Sequence, residues 1–408
     1  MKSLNPRFAS LGTTIFSVMS ALAVKHQAVN LGQGFPDSAG PDDVRAVARE
    51  RLESGPHQYP PFQGVPELRE AVAAHDRRYY GLEVTAANVL VTSGATEALA
   101  SAFFALLEPG DEAIVIDPSY DSYRPIIRAA GAEVKALRLA PPHWSFTAAD
   151  LEAVFSPRTK LIVLNSPMNP VGKVFSDEEL HLIADFCRRF DAYALCDEVY
   201  EHLLFDGRRH RPLMTLPGMF ERSVRVGSAG KTFSLTGWKI GYMTGPEALI
   251  GVMSKSHQFL TFTTPPNLQY AVAYGLGKDE SYFTGLATDM EASRDRLAAG
   301  LAAVGFRLLP CEGTYFLVAD YSALAPEMAA DEFCMFLTRE AGVTAIPVSA
   351  FYENAPADPL IRFCFCKTDA TLDEACARLS RYFGQNVQDL KQKDGVGMTA
   401  LDAQNVAT

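Results

Sequence analysis

Short apolar segments alternate with amphipathic segments between about residue 88 and residue 230. Each apolar segment is only a few residues long, and the amphipathic segments repeat apolar residues at helical spacing, as in Leu99, Ala102, Phe103 and Leu106. The strand-like segments are residues 89–92, 113–116, 133–139, 161–164, 193–196 and 223–227. This alternation predicts an α/β fold in which a mainly parallel sheet is covered by helices on both faces.

The pattern differs before and after this region. Residues 14–26 and 65–80 predict two early helices, and residues 291–304 predict a long charged helix. Strands at 313–318 and 360–366 and helices near 331–340 and 371–383 then suggest a compact α+β unit. We expect an N-terminal arm with part of a small domain at 1–45, a large domain at 46–285, a small domain at 286–385 and a tail at 386–408.

The composition is that of an ordinary globular chain. Of the 408 residues, 48% are hydrophobic and 21% are charged, and a formal net charge of −11 argues against a nucleic-acid partner. No apolar segment is long enough for a signal peptide or a membrane span, so we expect a cytoplasmic protein. The seven cysteines are odd in number and lack metal-ligand spacing, which favours reduced, structural thiols and no metal site.

A single lysine follows the last strand of this region, within residues 228–239 (SAGKTFSLTGWK). The protonated amine of Lys231 is a poor nucleophile, but desolvation or a nearby cation lowers its pKa and frees the lone pair for Schiff-base chemistry. Ser228 and Lys239 could then hold an anion such as a phosphate. Taken alone, Lys231 could also be a solvated surface charge. A P-loop is excluded, because Arg225 stands where that motif needs its first glycine.

Chemically capable residues follow the other strands as well, and parallel sheets bind ligands at the carboxyl ends of their strands. Each has an ordinary explanation: Asp197 as a helix cap or ion-pair partner, Tyr120 as packing, Arg362 as the partner of a core carboxylate. Together they match pyridoxal 5′-phosphate, which needs a phosphate site, partners for a pyridine nitrogen and a phenolic oxygen, and a lysine for its aldehyde. The strand-end residues are Gly94, Ala95, Thr96, Tyr120, Asn169, Asp197, Tyr200, Ser228 and Lys231.

The order and spacing of several segments carry a more specific signal: residues 30–37 (NLGQGFPD), 59–64 (YPPFQG), 93–99 (SGATEAL), 165–172 (NSPMNPVG), 197–200 (DEVY), 228–239 and 361–365 (IRFCF). With these segments, residues 10–385 resemble a fold-type I, class I aminotransferase. The chain is most similar to the branch that holds methionine aminotransferase, kynurenine aminotransferase and glutamine transaminase K, and residues 311–316 (CEGTYF) favour the first of these. The resemblance implies a homodimeric enzyme of amino acid metabolism that depends on pyridoxal phosphate.

The resemblance also implies roles for individual residues. Lys231 would join the cofactor aldehyde and move the proton between the substrate Cα and the cofactor, while Asp197 would keep the pyridine nitrogen protonated. Tyr120 would stack on the ring, and Asn169 and Tyr200 would hydrogen-bond the phenolic oxygen of that ring. The implied phosphate ligands are Gly94, Ala95, Thr96, Ser228, Lys239 and, from the second subunit, Tyr59.

Substrate recognition is implied in the same way. Arg362 would grip the substrate carboxylate, helped by Asn169 and the Gly34 backbone. Relatives specific for dicarboxylates recruit a second arginine near residues 258–277, which contain no charged residue here. Phe16 and Phe262 match aromatic pocket positions. We therefore expect ping-pong transamination between a 2-oxo acid and a neutral, bulky L-amino acid of the methionine, phenylalanine, glutamine or kynurenine type.

Three alternatives share some of these features. A β-lyase acting on cysteine conjugates or cystathionine would use the same lysine and ring, and would release pyruvate and ammonia without an acceptor. The sensor half of a cofactor-dependent transcription regulator would add a DNA-binding module, for which we expect no room before residue 10. A catalytically inactive relative is disfavoured by the presence of both Lys231 and Asp197.

Overall fold

The computed structural model describes residues 2–9 and 11–396. Its helices, in chain order, are α1 Pro6–Ala9, α2 Ile15–His26, α3 Asp42–Ser54, α4 Pro66–Tyr80, α5 Gly94–Leu106, α6 Tyr123–Ala130, α7 Ala148–Val154, α8 Asp177–Phe190, α9 Ala229–Thr232, α10 Glu247–Leu260, α11 Pro266–Leu276, α12 Glu280–Ala303, α13 Ala330–Phe336 and α14 Asp369–Val396. Within the described residues, no helix has the length and apolar character needed to cross a membrane.

The strands follow the same chain order and form three sheets. They are β1 Val29–Asn30, β2 Val89–Thr92, β3 Glu112–Asp117, β4 Glu133–Arg138, β5 Thr159–Asn165, β6 Tyr193–Asp197, β7 Ser223–Ser228, β8 Gly241–Thr244, β9 Arg307–Leu308, β10 Phe316–Asp320, β11 Val343–Thr344, β12 Ile346–Pro347 and β13 Leu360–Cys364. The largest sheet has seven strands in the order β2-β8-β7-β6-β5-β3-β4. The adjacent strands β7, β6, β5, β3 and β4 run parallel to one another, whereas β8 runs antiparallel to both β7 and β2. The predicted mixed, mainly parallel sheet is therefore confirmed.

Successive residues of a strand point to opposite faces of this sheet. In β5, Leu161 and Val163 lie in an apolar core with residues of α5, α6 and α10. Ile162 and Leu164 lie in a second core with residues of α7 and α8. Because both faces are buried, the strand is apolar throughout rather than alternating between apolar and polar residues.

A second, four-stranded antiparallel sheet has the order β12-β13-β10-β9. This sheet and the elements that share its apolar core are called the smaller part of the chain. A separate parallel pair joins β1, near the start of the chain, to β11. Met19 of α2 and Leu31 share one apolar core with Phe333 of α13 and Leu372 of α14. N-terminal and C-terminal residues thus fold together here, while the domain boundaries expected from the sequence stay predictions.

Several element boundaries differ from those expected. Helix α12 begins at Glu280 rather than at residue 291, and Phe283 is the only buried residue in its first turns, so the sequence pattern there is weak. The helix expected at 331–340 is α13 followed by a π-helical turn, Leu337–Ala341. Helix α14 continues to Val396, so residues 386–396 of the expected tail are helical; residues 397–408 lie outside the described residues.

A buried arginine ties the segment after β6 to the rest of the fold. Arg225 of β7 is 1% exposed, and its guanidinium donates hydrogen bonds to Asp76 of α4, Glu198 and Glu201. Ionised groups removed from water in this way are stable only while each keeps its partners. The network therefore fixes residues 197–201, which include the predicted cofactor-binding residues Asp197 and Tyr200.

Candidate active site

A cavity of about 440 Å³ is lined by residues at the carboxyl ends of the parallel strands, the edge where such sheets bind ligands. Residues from the smaller part of the chain complete its wall. Most residues predicted to form the site line it, although they come from distant segments of the sequence: Phe16, Gly34, Gly94, Ala95, Thr96, Tyr120, Asn169, Asp197, Tyr200, Ser228, Lys231, Lys239 and Arg362. The structure thus brings these residues together, and their individual roles stay predictions.

Lys231 lies in α9, the short helix that begins directly after β7. Its Nζ donates a hydrogen bond to the Tyr315 hydroxyl at 2.6 Å and lies 5.6 Å from the centre of the Tyr200 ring. Burial lowers the pKa of the Lys231 amine below its usual value. Lys231 is therefore not a solvated surface charge, and its neutral, nucleophilic form is easier to reach than it would be in water.

Asp197 is the last residue of β6 and lines the cavity. It is 5% exposed, and burial raises the pKa of its carboxyl to about 6. The Tyr123 hydroxyl donates a hydrogen bond to Oδ2 and acts in the opposite direction, because it stabilises the ionised form. A buried carboxylate beside a cavity is stabilised by a cationic partner, and a protonated ring nitrogen would be one.

The start of α5 and the side chain of Lys239 meet at one end of the cavity. Gly94, Ala95 and Thr96 are the first residues of this 13-residue helix, where free backbone N–H groups and the helix dipole favour a phosphate. Gly94 has a φ of 74°, and a Cβ there would lie 3.1 Å from Nζ of Lys239, so this close approach favours glycine. Together with Ser228, which lines the same cavity, these donors fit a phosphate group.

Arg362 reaches the cavity from β13, in the smaller part of the chain. Its side chain is buried, lies 3.8 Å from the centre of the Phe316 ring, and donates hydrogen bonds to Asn169 Oδ1 and the Gly32 carbonyl, both at 2.8 Å. These acceptors are neutral, and burial lowers the pKa of the guanidinium to about 10. A buried positive charge held by neutral acceptors favours an incoming carboxylate, and the explanation of Arg362 as the partner of a core carboxylate does not hold.

Two other predicted residues make protein contacts that the sequence does not reveal. Asn169 accepts the hydrogen bond from Arg362 through Oδ1, so its amide N–H groups are left for a ligand. The Gly34 carbonyl accepts a hydrogen bond from the Tyr315 hydroxyl at 2.7 Å. A Cβ on Gly34 would lie 2.6 Å from the Phe316 ring, so the backbone can pass this close to the cavity wall only as glycine.

Tyr59 and Phe262 do not line the cavity of their own chain. Tyr59 is 82% exposed, and its ring packs edge-to-face against that of Phe262, with the centroids 5.2 Å apart. Phe262 lies just beyond the end of α10 and is 39% exposed. Phe262 is thus outside the cavity of its own chain, because the loop after α10 carries it to the surface, and its place in the substrate pocket stays a prediction. The assignment of Tyr59 to the second subunit stays a prediction.

Two tyrosines outside the predicted set of site residues contact the site. Tyr123 donates to Asp197, and Tyr315 accepts from Lys231. Tyr123 begins α6 three residues after Tyr120, so its closeness in sequence to that predicted residue could have suggested it. Tyr315 is 84 residues away from Lys231 along the chain, and no sequence pattern pairs the two.

Comparisons with known proteins address the family directly. The sequence profile described as "Aminotransferase class I and II" matches residues 26–379. The chain belongs to the class I and II aminotransferases. Class I aminotransferases use pyridoxal phosphate, so the predicted enzyme class, EC 2.6.1.-, and the predicted cofactor are both confirmed.

Two relatives and one solved structure show how similar this aminotransferase is to known ones. It is 44% identical over 386 residues to the probable N-succinyldiaminopimelate aminotransferase DapC of Mycobacterium tuberculosis, which covers 92% of this chain and 97% of the relative. It is 42% identical over 374 residues to methionine aminotransferase of Escherichia coli K12, and this match covers 91% of this chain and 97% of the relative. The solved structure of N-succinyldiaminopimelate aminotransferase from Mycobacterium tuberculosis matches with a TM-score of 0.90 and 43% identity, covering 93% of this chain and 100% of that chain. The predicted fold-type I architecture is therefore confirmed.

The residues that this aminotransferase presents fit pyridoxal phosphate part by part. The start of α5 and Lys239 suit the phosphate, the buried carboxylate of Asp197 suits the pyridine nitrogen, and the desolvated amine of Lys231 suits the aldehyde. Tyr120, Asn169 and Tyr200 line the same cavity and are left for the ring face and the phenolic oxygen. Each part of the cofactor thus has a candidate partner.

The hydrogen bond from Tyr123 to Asp197 predicts a pH effect on cofactor binding. In Tyr123→Phe the carboxyl loses a donor that lowers its pKa, so Asp197 should take up its proton at a higher pH. The loss of pyridoxal phosphate affinity on acidification should then begin about one pH unit higher than in the wild type. Titration of the cofactor-free protein with pyridoxal phosphate between pH 4.5 and 8 measures this shift.

Tyr79→Phe is the matched control, because the buried Tyr79 hydroxyl has no hydrogen-bond partner among the described residues. Its acid limb should coincide with that of the wild type. Coincidence of the Tyr123→Phe limb as well would show that Tyr123 does not tune Asp197.

Proposed function

We propose that this aminotransferase acts on a neutral, bulky L-amino acid of the methionine, phenylalanine, glutamine or kynurenine type, and transfers its amino group to a 2-oxo acid by a ping-pong mechanism. The supporting observation is the setting of Arg362. Among the described residues that line the cavity it is the one arginine, and Phe16 and Phe316 flank it. One guanidinium suits one carboxylate, and the aromatic wall suits an uncharged side chain.

The chemistry divides between the cofactor and the chain. When bound, pyridoxal phosphate supplies an aldehyde that accepts the amino group and a ring that withdraws electrons from Cα. Arg362 would fix the substrate carboxylate, and Lys231, whose amine has a lowered pKa, would take the proton from the substrate Cα and deliver it to the cofactor carbon. Tyr315 accepts a hydrogen bond from Lys231 and donates one to the Gly34 carbonyl, which keeps the amine at the cavity.

We also propose that the enzyme works as a homodimer in which Tyr59 reaches the phosphate of the partner subunit's cofactor. The exposure of Tyr59 supports this, since an aromatic ring that is 82% exposed on one chain is suited to an interface. Phe262, which packs against Tyr59, would then lie beside the same neighbouring site. The cytoplasmic location stays a prediction.

The relative from Mycobacterium tuberculosis favours a second candidate substrate, N-succinyldiaminopimelate, because that relative is 44% identical to this chain. This molecule carries several carboxylates, which the cavity would have to accept with one arginine. The β-lyase reaction remains a third alternative, since the same lysine and ring would serve it. Release of pyruvate and ammonia in the absence of a 2-oxo acid acceptor would identify it.

A donor screen tests the proposed substrate class. Methionine, phenylalanine, glutamine and kynurenine should each be used at least tenfold better, as kcat/KM, than aspartate and N-succinyldiaminopimelate with one common monocarboxylic 2-oxo acid, because a second buried carboxylate without a cation costs more than 1.4 kcal/mol. Formation of the new amino acid from that 2-oxo acid is measured by chromatography. Best use of N-succinyldiaminopimelate would instead support the second candidate.

The role of Arg362 predicts how its loss affects the substrate carboxylate. Arg362→Gln should raise KM for every amino acid roughly 100-fold, since a buried charge pair loses one partner. The amine that corresponds to methionine without its carboxylate, 3-(methylthio)propylamine, should react at an almost unchanged rate. Single-turnover absorbance changes of the bound cofactor measure both. Equal losses for the amino acid and the amine would remove Arg362 from this role.

A further inference from the structure

Five charged side chains line the cavity among the described residues: Asp121, Asp197, Lys231, Lys239 and Arg362. Four of these suit a part of the cofactor or the substrate carboxylate. Asp121 has no such assignment. A carboxylate that lines a cavity and has a perturbed pKa is a candidate functional group, so the question is what Asp121 does to the substrate.

Asp121 lies between the cavity-lining Tyr120 and α6, whose Tyr123 holds Asp197. Burial raises the pKa of the Asp121 carboxyl, and the guanidinium of Arg362 opposes that rise. The influence is mutual, because Asp121 also acts to raise the pKa of Arg362. The carboxylate therefore lies in the same electrostatic neighbourhood as the guanidinium that we assign to the substrate carboxylate.

The charges of the site then set a limit on the substrate. Lys239 is matched to the cofactor phosphate and Arg362 to the substrate α-carboxylate, so neither remains for a second acidic group. A substrate with a carboxylate on its side chain would thus meet the negative charge of Asp121, with no free cation in the described part of the cavity lining to offset the repulsion.

We propose that Asp121 is a specificity-determining residue that disfavours amino acids and 2-oxo acids carrying a second carboxylate. The proposal rests on the proposed function, since it explains the preference for a neutral side chain. The same oxygens can accept hydrogen bonds, so an amide side chain such as that of glutamine is tolerated where glutamate is not. Preference for glutamine over glutamate is therefore the expected signature.

The competing explanation is that Asp121 only steadies Arg362. Such a positioning role would change the use of every substrate by the same factor, because all of them carry the α-carboxylate. A specificity role changes the ratio between substrates. The ratio, rather than the rate, is therefore the informative quantity.

The experiment compares wild-type holoenzyme with Asp121→Asn, Asp121→Glu and the control Asp191→Asn. The side chain of Asp191 is 94% exposed, and its replacement removes the same charge far from the cavity. For each protein, kcat/KM is measured for glutamate, glutamine and methionine with one monocarboxylic 2-oxo acid. Binding of two unreactive acids, glutarate with two carboxylates and valerate with one, is measured by calorimetry.

In Asp121→Asn, the glutamate-to-methionine ratio of kcat/KM should rise about tenfold, the order expected for one unit charge across a partly buried site. Glutarate should bind more tightly by a similar factor while valerate binding changes little. Asp121→Glu should keep the wild-type ratio, as should Asp191→Asn.

The two ways of failing are separate. An unchanged ratio in Asp121→Asn, or equal changes for glutarate and valerate, would overturn the role of Asp121 in an enzyme that still prefers methionine. Wild-type enzyme that uses glutamate as well as methionine would instead overturn the neutral-substrate assignment, and with it the proposal for Asp121.

Discussion

Desolvation of charged groups at the carboxyl edge of the sheet is the constraint on which this structure depends. Three such groups line one cavity: the amine of Lys231, the carboxylate of Asp197 and the guanidinium of Arg362. Burial raises the pKa of the carboxyl and lowers the pKa of the amine and of the guanidinium, so in each case it disfavours the charged form. Such groups cost stability in a protein that makes no use of them. The predicted roles of these groups would offset that cost, since the substrate carboxylate, the ring nitrogen and the aldehyde would each meet one of them.

The rest of the fold holds these charged groups in place, although their burial costs stability. The parallel register places Asn165 of β5 beside Asp197 of β6. The hydrogen bonds of Arg225 fix the segment after β6. The smaller part of the chain contributes Arg362, so the cavity is complete only when both parts are folded. Asp121 also lines this cavity, and we assign it to neither the cofactor nor the substrate α-carboxylate.

Much of this arrangement could be predicted from the sequence, because the information is local. Continuous apolar segments between helices predict the sheet, and residues just after each strand predict which side chains gather at its edge. The link from Arg362 to Asn169 and the link from Lys231 to Tyr315 could not be predicted, since they join residues far apart in the chain with no shared pattern. Phe262 could not be placed either, because the sequence does not show that the loop after α10 carries it to the surface.

The most direct test of this account is to identify the lysine that pyridoxal phosphate joins. Borohydride fixes the cofactor to that lysine, and peptide mapping by mass spectrometry then locates the added mass. The account predicts the label on Lys231, and a Lys231→Ala protein that folds and binds the cofactor without a covalent link. A label on Lys239 or another lysine, or a wild-type protein that gains no label at all, would contradict it.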